Sequence, residues 1–545
     1  MPAPSFGRQS VWTRPRTTRA VCHADGGMVA TAHYLGSNAA LDVLKEGGTA
    51  VDAAICAAAT MSVILPHMIG IGGDAFWLIN DAQAGNKVLS INGSGHCGRN
   101  ITLDTYRGMD AIPHRGPQAA ITVPGAVASW GLAHERLGKL PMKRLLEPAI
   151  HYARKGSPVT NDISQWIQDD LEAFRADPGS ASIFLTNGQA WMPGQRLIQS
   201  ALGDTLEQIA LHGTQHFYNE TGRAIGAYLK SQGGLLDEED FRAYKARWVA
   251  PITTKYRDCQ VYQVPPPSQG MAGLLILNFL NGIDFSGIAP DSPEYYHAIL
   301  QAIKWAFSKR DRHLTDPDFS NIPLDHLLDP ALADAERAAW LADATLTHEN
   351  RPGGSDTTFM SFADKYGNSV GVVQSLYFDF GACVTDPVSG VLMQNRGSFF
   401  SLDPSHPNVL KPGKQSASTL MSGMVFRDGK PLMVYGTQGG EVQPQTQTSV
   451  ITRVVDFGLN VQQAIDAPRV LYGRSWGDTS NKLLLESTAP EATFTALRAM
   501  GHPVEAATWP FTRMGTAQAI RMPDAQCPFF EGGADPRGEG IALGF

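Results

Sequence analysis

The sequence lacks the features that would place it in a membrane or on a secretion route. Its richest apolar run, residues 53–69, is short for a membrane-spanning helix and is interrupted by Pro66 and His67. The first 19 residues are polar and contain four arginines, without the apolar centre of a signal peptide. We therefore expect a cytoplasmic protein with no membrane partner.

Cysteine, metal-binding motifs and excess positive charge are also scarce. The six cysteines are widely spaced and no H-E-x-x-H motif occurs, so neither a disulfide framework nor a metal site is predicted. The 44 Lys and Arg residues are outnumbered by 52 Asp and Glu, and a net charge of −8 disfavours a nucleic-acid partner. The glycine-rich stretches match no nucleotide-binding motif, so we expect no cofactor.

The residues that are present indicate a globular protein with ample core material, 43% apolar and 18% charged. Periodicity and turn signals predict a helix-rich first part and a strand-rich second part, joined by an exposed linker over 331–354. Helices are predicted over 37–64 with a break at Gly47 and Gly48, and over 141–155, 162–176, 224–232, 271–280 and 294–312. Strands are predicted over 75–79 and 483–485 and in two hairpins, 358–363 with 369–376 and 424–426 with 432–435.

The segment at the junction of the two parts, residues 353–362, is a polar, glycine-rich approach to a strand that opens at Thr357. A threonine hydroxyl is a weak nucleophile unless a base lies beside it, and the α-amine of the same residue can be that base once the preceding peptide bond is cut. Cleavage between Asp356 and Thr357 would make the chain a proenzyme with a threonine at a new amino terminus. The alternative is an ordinary threonine at the edge of a strand.

A rival nucleophile is Ser475, which lies in a G-x-S-x-G pattern over 473–477. A nucleophile elbow needs a strand before the serine and a helix directly after it. The residues that follow Ser475 are turn-like, and 483–485 is predicted to be a strand. A Ser-His-Asp site with Asp478 and His502 as partners is therefore disfavoured.

Residues 436–440 read Gly-Thr-Gln-Gly-Gly and follow a predicted strand. Because they have no Cβ, Gly439 and Gly440 can direct two backbone N–H groups at one point. An oxyanion hole for acyl transfer requires that arrangement. The alternative is a simple turn.

Taken in order, the motifs of this chain resemble the γ-glutamyltransferase family of N-terminal nucleophile (Ntn) hydrolases over roughly residues 25–545. The resemblance implies an α/β (α+β) fold, a four-layer αββα sandwich formed by two fragments of one precursor. It implies an N-terminal extension over 1–24, a large fragment over 25–356 and a small fragment over 357–545. The matching motifs include Leu44-Lys45-Glu46-Gly47-Gly48, Gly70-Ile71-Gly72-Gly73, Val123-Pro124-Gly125, Thr357-Thr358, Asp364-Lys365-Tyr366-Gly367-Asn368, Ala467-Pro468-Arg469 and Asp535-Pro536-Arg537.

The resemblance also implies roles for single positions. Thr357 matches the nucleophile, which would first attack the carbonyl of Asp356 and later the substrate amide. Ser375 matches a hydroxyl that hydrogen-bonds the nucleophile, and Gly439 and Gly440 match the oxyanion-hole glycines.

The predicted substrate pocket departs from that of glutathione-cleaving members. This chain has Asn92 in place of an arginine that holds the glutamyl carboxylate, Phe399 in place of an aspartate that holds the amino group, and Tyr377 in place of an asparagine. A matching pair of hydroxyl residues survives as Ser418 and Thr419. Loss of the charged contacts would weaken the binding of a γ-glutamyl group.

These departures resemble the branch that contains oxamate amidohydrolase and the γ-glutamyltransferase-like acylases. In that branch Arg396 is a candidate anchor for an acidic acyl group, because a guanidinium forks onto a carboxylate; a structural salt bridge is the alternative. We predict a threonine amidohydrolase that cleaves a small acidic amide and, once processed, is an α/β heterodimer or a dimer of such pairs. Glutathione hydrolysis or γ-glutamyl transfer, a glutaryl (cephalosporin-type) acylase, and a non-catalytic binding protein are the alternatives.

Overall fold

The computed structural model describes residues 18–346, 356–473 and 482–545, with Asp356 described by its backbone alone. These residues form α-helices, β-strands and short 3-10 and π-helical turns. The helices are α1 (Tyr34–Lys45), α2 (Ala50–Ile64), α3 (Ala126–Leu137), α4 (Met142–Lys155), α5 (Asn161–Asp169), α6 (Leu171–Ala176), α7 (Pro178–Phe184), α8 (Ser200–His212), α9 (Thr214–His216), α10 (Gly222–Ser231), α11 (Glu238–Ala243), α12 (Gly270–Asn281), α13 (Pro293–His313), α14 (Leu324–Leu327), α15 (Pro330–Ala342), α16 (Gln443–Val455), α17 (Val461–Asp466) and α18 (Glu491–Ala499).

Most strands belong to two large antiparallel sheets, and the others form short pairs and one three-stranded sheet. The strands are β1 (Cys22–Ala24), β2 (Gly27–Thr31), β3 (Asp74–Asp81), β4 (Lys87–Gly93), β5 (Ser157–Pro158), β6 (Leu185–Thr186), β7 (Gln189–Ala190), β8 (Arg196–Leu197), β9 (Arg247–Val249), β10 (Ile252–Tyr256), β11 (Cys259–Gln263), β12 (Asp356–Asp364), β13 (Ser369–Tyr377), β14 (Thr385–Asp386), β15 (Val391–Leu392), β16 (Gly423–Arg427), β17 (Lys430–Thr437), β18 (Val470–Gly473), β19 (Lys482–Glu486), β20 (Glu505–Ala507), β21 (Ala517–Arg521), β22 (Phe530–Ala534) and β23 (Ile541–Gly544).

Each large sheet has seven strands and mixes segments from before and after Thr357. The first sheet has the order β23-β2-β12-β13-β3-β4-β9, and the second has the order β1-β22-β21-β17-β16-β11-β10. In the first sheet, β12 pairs with β2 on one side and with β13 on the other. The strand that begins beside Thr357 is therefore an interior strand, hydrogen-bonded on both edges.

The two sheets stack face to face between two layers of helices. Phe359 and Val373 of the first sheet and Val434 and Ile520 of the second belong to one buried cluster, which fills the space between the sheets. The outer face of the first sheet packs on a cluster that includes α1, α2, α3 and α8. The outer face of the second packs on α12, α13, α16 and α17. The fold is thus the predicted αββα sandwich.

The predicted break between α1 and α2 has a local cause. Gly47 adopts φ +87°, a left-handed conformation that favours glycine, and ends the first helix. Thr49 then caps α2, because its side chain accepts from the N–H of Asp52 while the Asp52 carboxylate accepts from the N–H of Thr49. The sequence predictions for this region and for the hairpin of β12 and β13 are confirmed.

Two local predictions need correction. The predicted linker over 331–354 instead contains most of α15, whose first turn is capped by Asp329 with a proline behind it. The single helix predicted over 162–176 is divided at Asp170, whose carboxylate is drawn to Arg115 at 2.7 Å. None of the helices that the structure describes is both long enough and apolar enough to cross a membrane.

Candidate active site

Thr357 lies at an irregularity in the pairing of β12 with β13. Asp356 is opposite Tyr377 and Thr358 is opposite Gln374, so Thr357 alone faces the two residues between them. Such a β-bulge redirects a side chain and is frequent beside active sites. The Thr357 side chain is almost fully buried, with 1% of its surface exposed. The predicted nucleophile is therefore held in an unusual backbone position inside the sheet.

Ser375 is one of the two β13 residues in the bulge and is also buried. Its Oγ accepts a hydrogen bond from the N–H of Tyr377 at 2.7 Å. Tyr377 adopts φ +87°, which is rare for an aromatic residue and marks local strain. Ser375 and the single residue Thr357 face each other across the pairing of β13 with β12.

Arg396 begins a 3-10 turn and is completely buried. Its guanidinium lies over the Tyr377 ring, 4.3 Å from the ring centroid. Nη1 donates a long hydrogen bond of 3.4 Å to Thr419 Oγ1, whereas Nε and Nη2 find no hydrogen-bond acceptor among the residues that the structure describes. A buried guanidinium with two nitrogens that lack acceptors can bind an anionic ligand by donating hydrogen bonds to it.

Asp74 is the acidic residue nearest to this guanidinium. Its Oδ2 lies 3.8 Å from Arg396 Nε, which is longer than a hydrogen bond. Its Oδ1 accepts instead from Gly95 N–H at 2.9 Å and from Gln394 Nε2 at 2.8 Å. Burial raises the pKa of the Asp74 carboxyl to about 6, although the charge of Arg396 lowers it. The predicted structural salt bridge of Arg396 is therefore incomplete.

Gly439 and Gly440 follow β17 and adopt φ +116° and +55°. Consecutive residues with positive φ are readily formed only by glycine. A 3-10 turn begins at Gly440 and continues into α16, whose amino-terminal dipole favours negative charge nearby. This conformation is compatible with the predicted oxyanion hole.

Gln269 connects the glycine turn to the Arg396 region. Its Nε2 donates to Gly440 O at 2.9 Å and to Thr419 O at 2.6 Å, and its Oε1 accepts from Arg310 Nη1 at 3.0 Å. All three of these links are buried. Gln269 therefore links the backbone of the glycine turn to Thr419, the residue that contacts Arg396.

The structure brings only part of the predicted pocket together. Tyr377, Arg396 and Thr419 are in direct contact, and Phe399 stacks near Tyr377 with centroids 5.6 Å apart. Asn92 has its amide bonded to Gln415 Oε1 at 2.9 Å, so that its side chain is already paired within the protein.

Ser418 is used in the backbone framework. It forms a parallel bridge with Ser268, and its Oγ accepts from Leu420 N–H at 3.3 Å. Ser475, the rival nucleophile that the sequence disfavours, lies outside the described residues. The assignments of Ser418 and Asn92 as substrate contacts therefore stay predictions.

Sequence reasoning missed Asp74, Gln394 and Gln269 as parts of this site. The glycine run before Asp74 contains a signal that could have found it, because a Cβ on Gly73 would lie 2.2 Å from the carbonyl oxygen of Ser375. This close approach of the two backbones places Asp74, the residue after Gly73, beside Ser375.

A cleft with a volume of about 100 Å³ reaches Gly439 from the surface. Arg513, Asp162 and Glu539 are among the charged residues that line it. A second, much smaller cavity of about 20 Å³ adjoins Thr419 and Phe399. The glycine turn is therefore open to solvent on one side, while the region beside Thr419 is tightly filled.

Comparison with known families gives one consistent result. A model of the family described as gamma-glutamyltranspeptidase matches residues 36–545. The glutathione hydrolase-like YwrD proenzyme of Bacillus subtilis is 45% identical over 520 residues, covering 95% of this chain and 98% of that protein. The oxamate amidohydrolase proenzyme of Klebsiella pneumoniae is 38% identical over 531 residues, with the same coverage of 95% and 98%.

A solved structure agrees in both fold and extent. Cephalosporin acylase from Bacillus halodurans superposes with a TM-score of 0.89 and 34% identity, and the alignment covers 99% of each chain. The resemblance to Ntn hydrolases that the sequence motifs indicated is confirmed at the level of the fold.

Proposed function

Because the chain belongs to the gamma-glutamyltranspeptidase family, we propose that it is a self-processing amidohydrolase that cleaves a small acidic amide of the oxamate type. Thr357 is the nucleophile and Arg396 holds the carboxylate of the substrate. The observation that carries the proposal is the buried Arg396 guanidinium, two of whose nitrogens have no acceptor among the described residues.

Processing begins with attack of the Thr357 hydroxyl on the carbonyl carbon of Asp356. The peptide C–N bond breaks, an ester forms on Thr357 Oγ1, and the nitrogen of Thr357 becomes a free amine. Water then hydrolyses the ester, which leaves a carboxylate on Asp356 and restores the hydroxyl. The proenzyme names of two relatives support this step.

Turnover repeats the chemistry on a substrate amide. The new α-amine takes the hydroxyl proton while the oxygen of Thr357 attacks the amide carbon. The N–H groups of Gly439 and Gly440 stabilise the negative charge that develops on the carbonyl oxygen. Collapse of this intermediate releases ammonia, which takes the proton from the amine, and water then hydrolyses the acyl ester. The hydroxyl of Ser375 keeps the oxygen of Thr357 in position.

The pocket favours a small acid over a γ-glutamyl group. A carboxylate close to the scissile carbonyl can use the Nε and Nη2 atoms of Arg396, because a guanidinium binds carboxylates through paired N–H groups. A glutamyl group needs partners for a second charged end, but Asn92 is bonded to Gln415 and position 399 is a phenylalanine. The small cavity beside Thr419 also favours a short acyl chain.

Cephalosporin-type acylase activity is the second candidate. It is supported by the close superposition with the acylase of Bacillus halodurans and by the cleft at Gly439, which could accommodate a larger leaving group. The two candidates share the nucleophile and differ in what Arg396 contacts.

Processing is tested by gel electrophoresis of the purified protein. We expect fragments of about 38 and 20 kDa, in proportion to their shares of a 58.7 kDa chain, and a single full-length band for Thr357→Ala. The neighbouring Thr358→Ala variant should still be cut. Cleavage that persists in Thr357→Ala would exclude Thr357 as the nucleophile.

Substrate choice is tested by ammonia or amine release from oxamate, glutamine, glutathione and glutaryl amides. We expect oxamate to be preferred and Arg396→Gln to lower kcat/KM for it by about 30-fold or more, since a buried charged contact is lost. Arg427→Gln, which alters a partly exposed ion pair with Asp258, is the matched control. Preference for glutaryl amides would favour the acylase, and inactivity on all four would overturn the small-amide proposal.

A further inference from the structure

Three side chains of types that bind transition metals meet at the edge of the second sheet. They are His23 on β1, Glu531 on β22 and Cys527 in the loop before β22, and their ligand atoms all lie within 4.8 Å of one another. We propose that His23, Cys527 and Glu531 bind one Zn²⁺ ion. The proposal does not depend on the catalytic activity.

The strand pairing sets two of the ligands side by side. His23 is the direct cross-strand partner of Glu531 in the pairing of β1 with β22. His23 Nε2 lies 3.5 Å from Glu531 Oε1, which is too long for a strong hydrogen bond between them. In a tetrahedral zinc site with bonds of about 2.0–2.3 Å, ligand atoms are about 3.3–3.7 Å apart. The distance between His23 and Glu531 fits that geometry, and Cys527 has to move closer to complete it.

Glu531 is the buried ligand of the three, with 8% of its surface exposed. Its Oε2 accepts no hydrogen bond from any residue that the structure describes. Arg521 Nη1 is 3.7 Å away, but the same guanidinium is paired with Asp524 at 2.7 Å. The charge of the buried Glu531 carboxylate is therefore only partly balanced by Arg521. A cation at Oε1, the oxygen beside His23, would stabilise this charge.

Cys527 supplies the third ligand from a constrained loop. Asp524 Oδ1 accepts from the N–H of Cys527 at 2.9 Å, and Asp524 N–H donates to Cys527 O at 2.8 Å. The half-exposed His23 and Cys527 side chains can rotate to shorten their distance to the ion. An imidazole, a thiolate and a carboxylate favour Zn²⁺ over Mg²⁺ or Ca²⁺, which prefer oxygen ligands, and water can complete the coordination.

The position of this site gives it a structural role. His23 precedes the proposed cut at Asp356 and Thr357, whereas Cys527 and Glu531 follow it. β1 is a three-residue strand at the sheet edge, so few hydrogen bonds hold it to β22. A zinc ion would therefore join the two fragments of the processed protein. No metal site was predicted from the sequence, because His23 and its partners are about 500 positions apart.

The test uses the purified, tag-free full chain, cleaved or uncleaved, after removal of metals with a chelator. Zn²⁺ is titrated in competition with a chromogenic chelator, and we expect one tightly bound ion per chain. His23→Ala and Cys527→Ser should each weaken binding at least tenfold. Cys22→Ser is the matched control, because Cys22 is the other partly exposed thiol and lies next to His23.

A second readout does not need any variant. Zn²⁺ should slow alkylation of Cys527 at least tenfold and raise the thermal midpoint of the wild-type protein by several degrees, and Mg²⁺ should do neither. Peptide mass spectrometry locates the modified thiol. Absence of stoichiometric Zn²⁺ binding, or equal binding by wild type and Cys527→Ser, would overturn the proposal.

Discussion

At the scale of single residues, Asp74 is placed to change the charge beside Arg396, the proposed anchor of the substrate. Its carboxyl has a pKa raised to about 6 by burial, so it is neutral below that pH and ionised above it. When neutral it leaves the guanidinium to an anionic ligand, and when ionised it competes for the guanidinium from 3.8 Å away. Substrate affinity should therefore depend on pH in a range where oxamate itself does not titrate.

We expect the KM for oxamate to rise roughly tenfold between pH 5 and pH 7.5, as Asp74 loses its proton. Asp74→Asn should keep a low KM across this range, because its side chain stays neutral. Steady-state kinetics of both proteins against pH make the comparison. A parallel rise of KM in the two proteins would mean that another group is responsible.

Single residues could be assigned from the sequence where the family motifs include them. Thr357 and the glycine pair were predicted from the order of these motifs, because the local pattern alone left a strand-edge threonine and a simple turn as alternatives, and both assignments stay predictions. The carboxamide of Gln394 reaches Asp74 across 320 positions, and Gln269 reaches Gly440 across 171. Such contacts depend on the fold, so no local sequence pattern predicts them.

At the scale of structural elements, the turn between β17 and α16 makes a specific demand on Gly440. Its φ of +55° would cost an alanine about 1–2 kcal/mol. In the alanine variant the backbone would shift to relieve this strain. The shift would move the N–H groups of the proposed oxyanion hole. We expect Gly440→Ala to slow both self-cleavage and ammonia release about 100-fold.

Gly429 provides the control for this change. It lies in the turn between β16 and β17 with φ +72°, and a Cβ there would meet no atom within 4 Å. Gly429→Ala should lower stability by a similar amount and leave both rates unchanged. Equal loss of activity in the two variants would show that strain alone, and not the oxyanion hole, explains the effect.

The start of α2 depends on one buried carboxylate. Asp52 accepts from the N–H groups of Thr49, Lys139 and Leu140 at 2.9–3.2 Å and so joins the helix to the loop before α4. Asp52→Ala removes the acceptor of three part-buried N–H groups, so we expect a loss of about 1–2 kcal/mol. Asp42→Ala, at an exposed position on α1, should change stability by less than about 0.5 kcal/mol.

Thermal unfolding at one scan rate, followed by circular dichroism, measures both variants. Asp52→Ala should unfold several degrees below the wild type, and Asp42→Ala should unfold at the same temperature as the wild type. A midpoint for Asp52→Ala equal to that of the wild type would show that water replaces the lost acceptor.

Elements were predicted well where caps and periodicity agree. The glycine pair and the Thr49 capping box identify the boundary of α2, and the turn signals identify the hairpin of β12 and β13. The segment of α15 was taken for a linker because its exposed, alanine-rich surface resembles a solvated chain; only Ala333 of this helix is buried. It is held by two neighbouring helices: Lys309 of α13 pairs with Glu336 at 2.8 Å, and Arg337 Nε donates to Phe279 O of α12 at 2.7 Å.

At the scale of the whole molecule, five strand pairings join the parts before and after Thr357. They are β2 with β12, β2 with β23, β3 with β13, β1 with β22 and β11 with β16. Neither part can complete a sheet alone. We expect the processed fragments to co-elute in native size-exclusion chromatography and to separate only in denaturant.

Fragments expressed separately provide the contrast. Residues 357–545 alone lack β1, β2, β3 and β11, the four strands that pair with theirs, and should be insoluble or unfolded by circular dichroism. A soluble, folded small fragment would contradict the dependence that the strand order implies.

The αββα architecture could be predicted from the family resemblance. The pairing of strands from distant segments could not, because periodicity reveals which residues face inward but not which strand lies beside which.

The position of β12 also orders events during biosynthesis. β2, its neighbour, is flanked on its other side by β23, the last of the described strands to leave the ribosome. A peptide bond whose cleavage requires the assembled sheet stays intact in any shortened translation product. Only molecules that have been synthesised through β23 would then acquire the catalytic amino group. In this way the strand order would make enzyme activity depend on translation having passed β23.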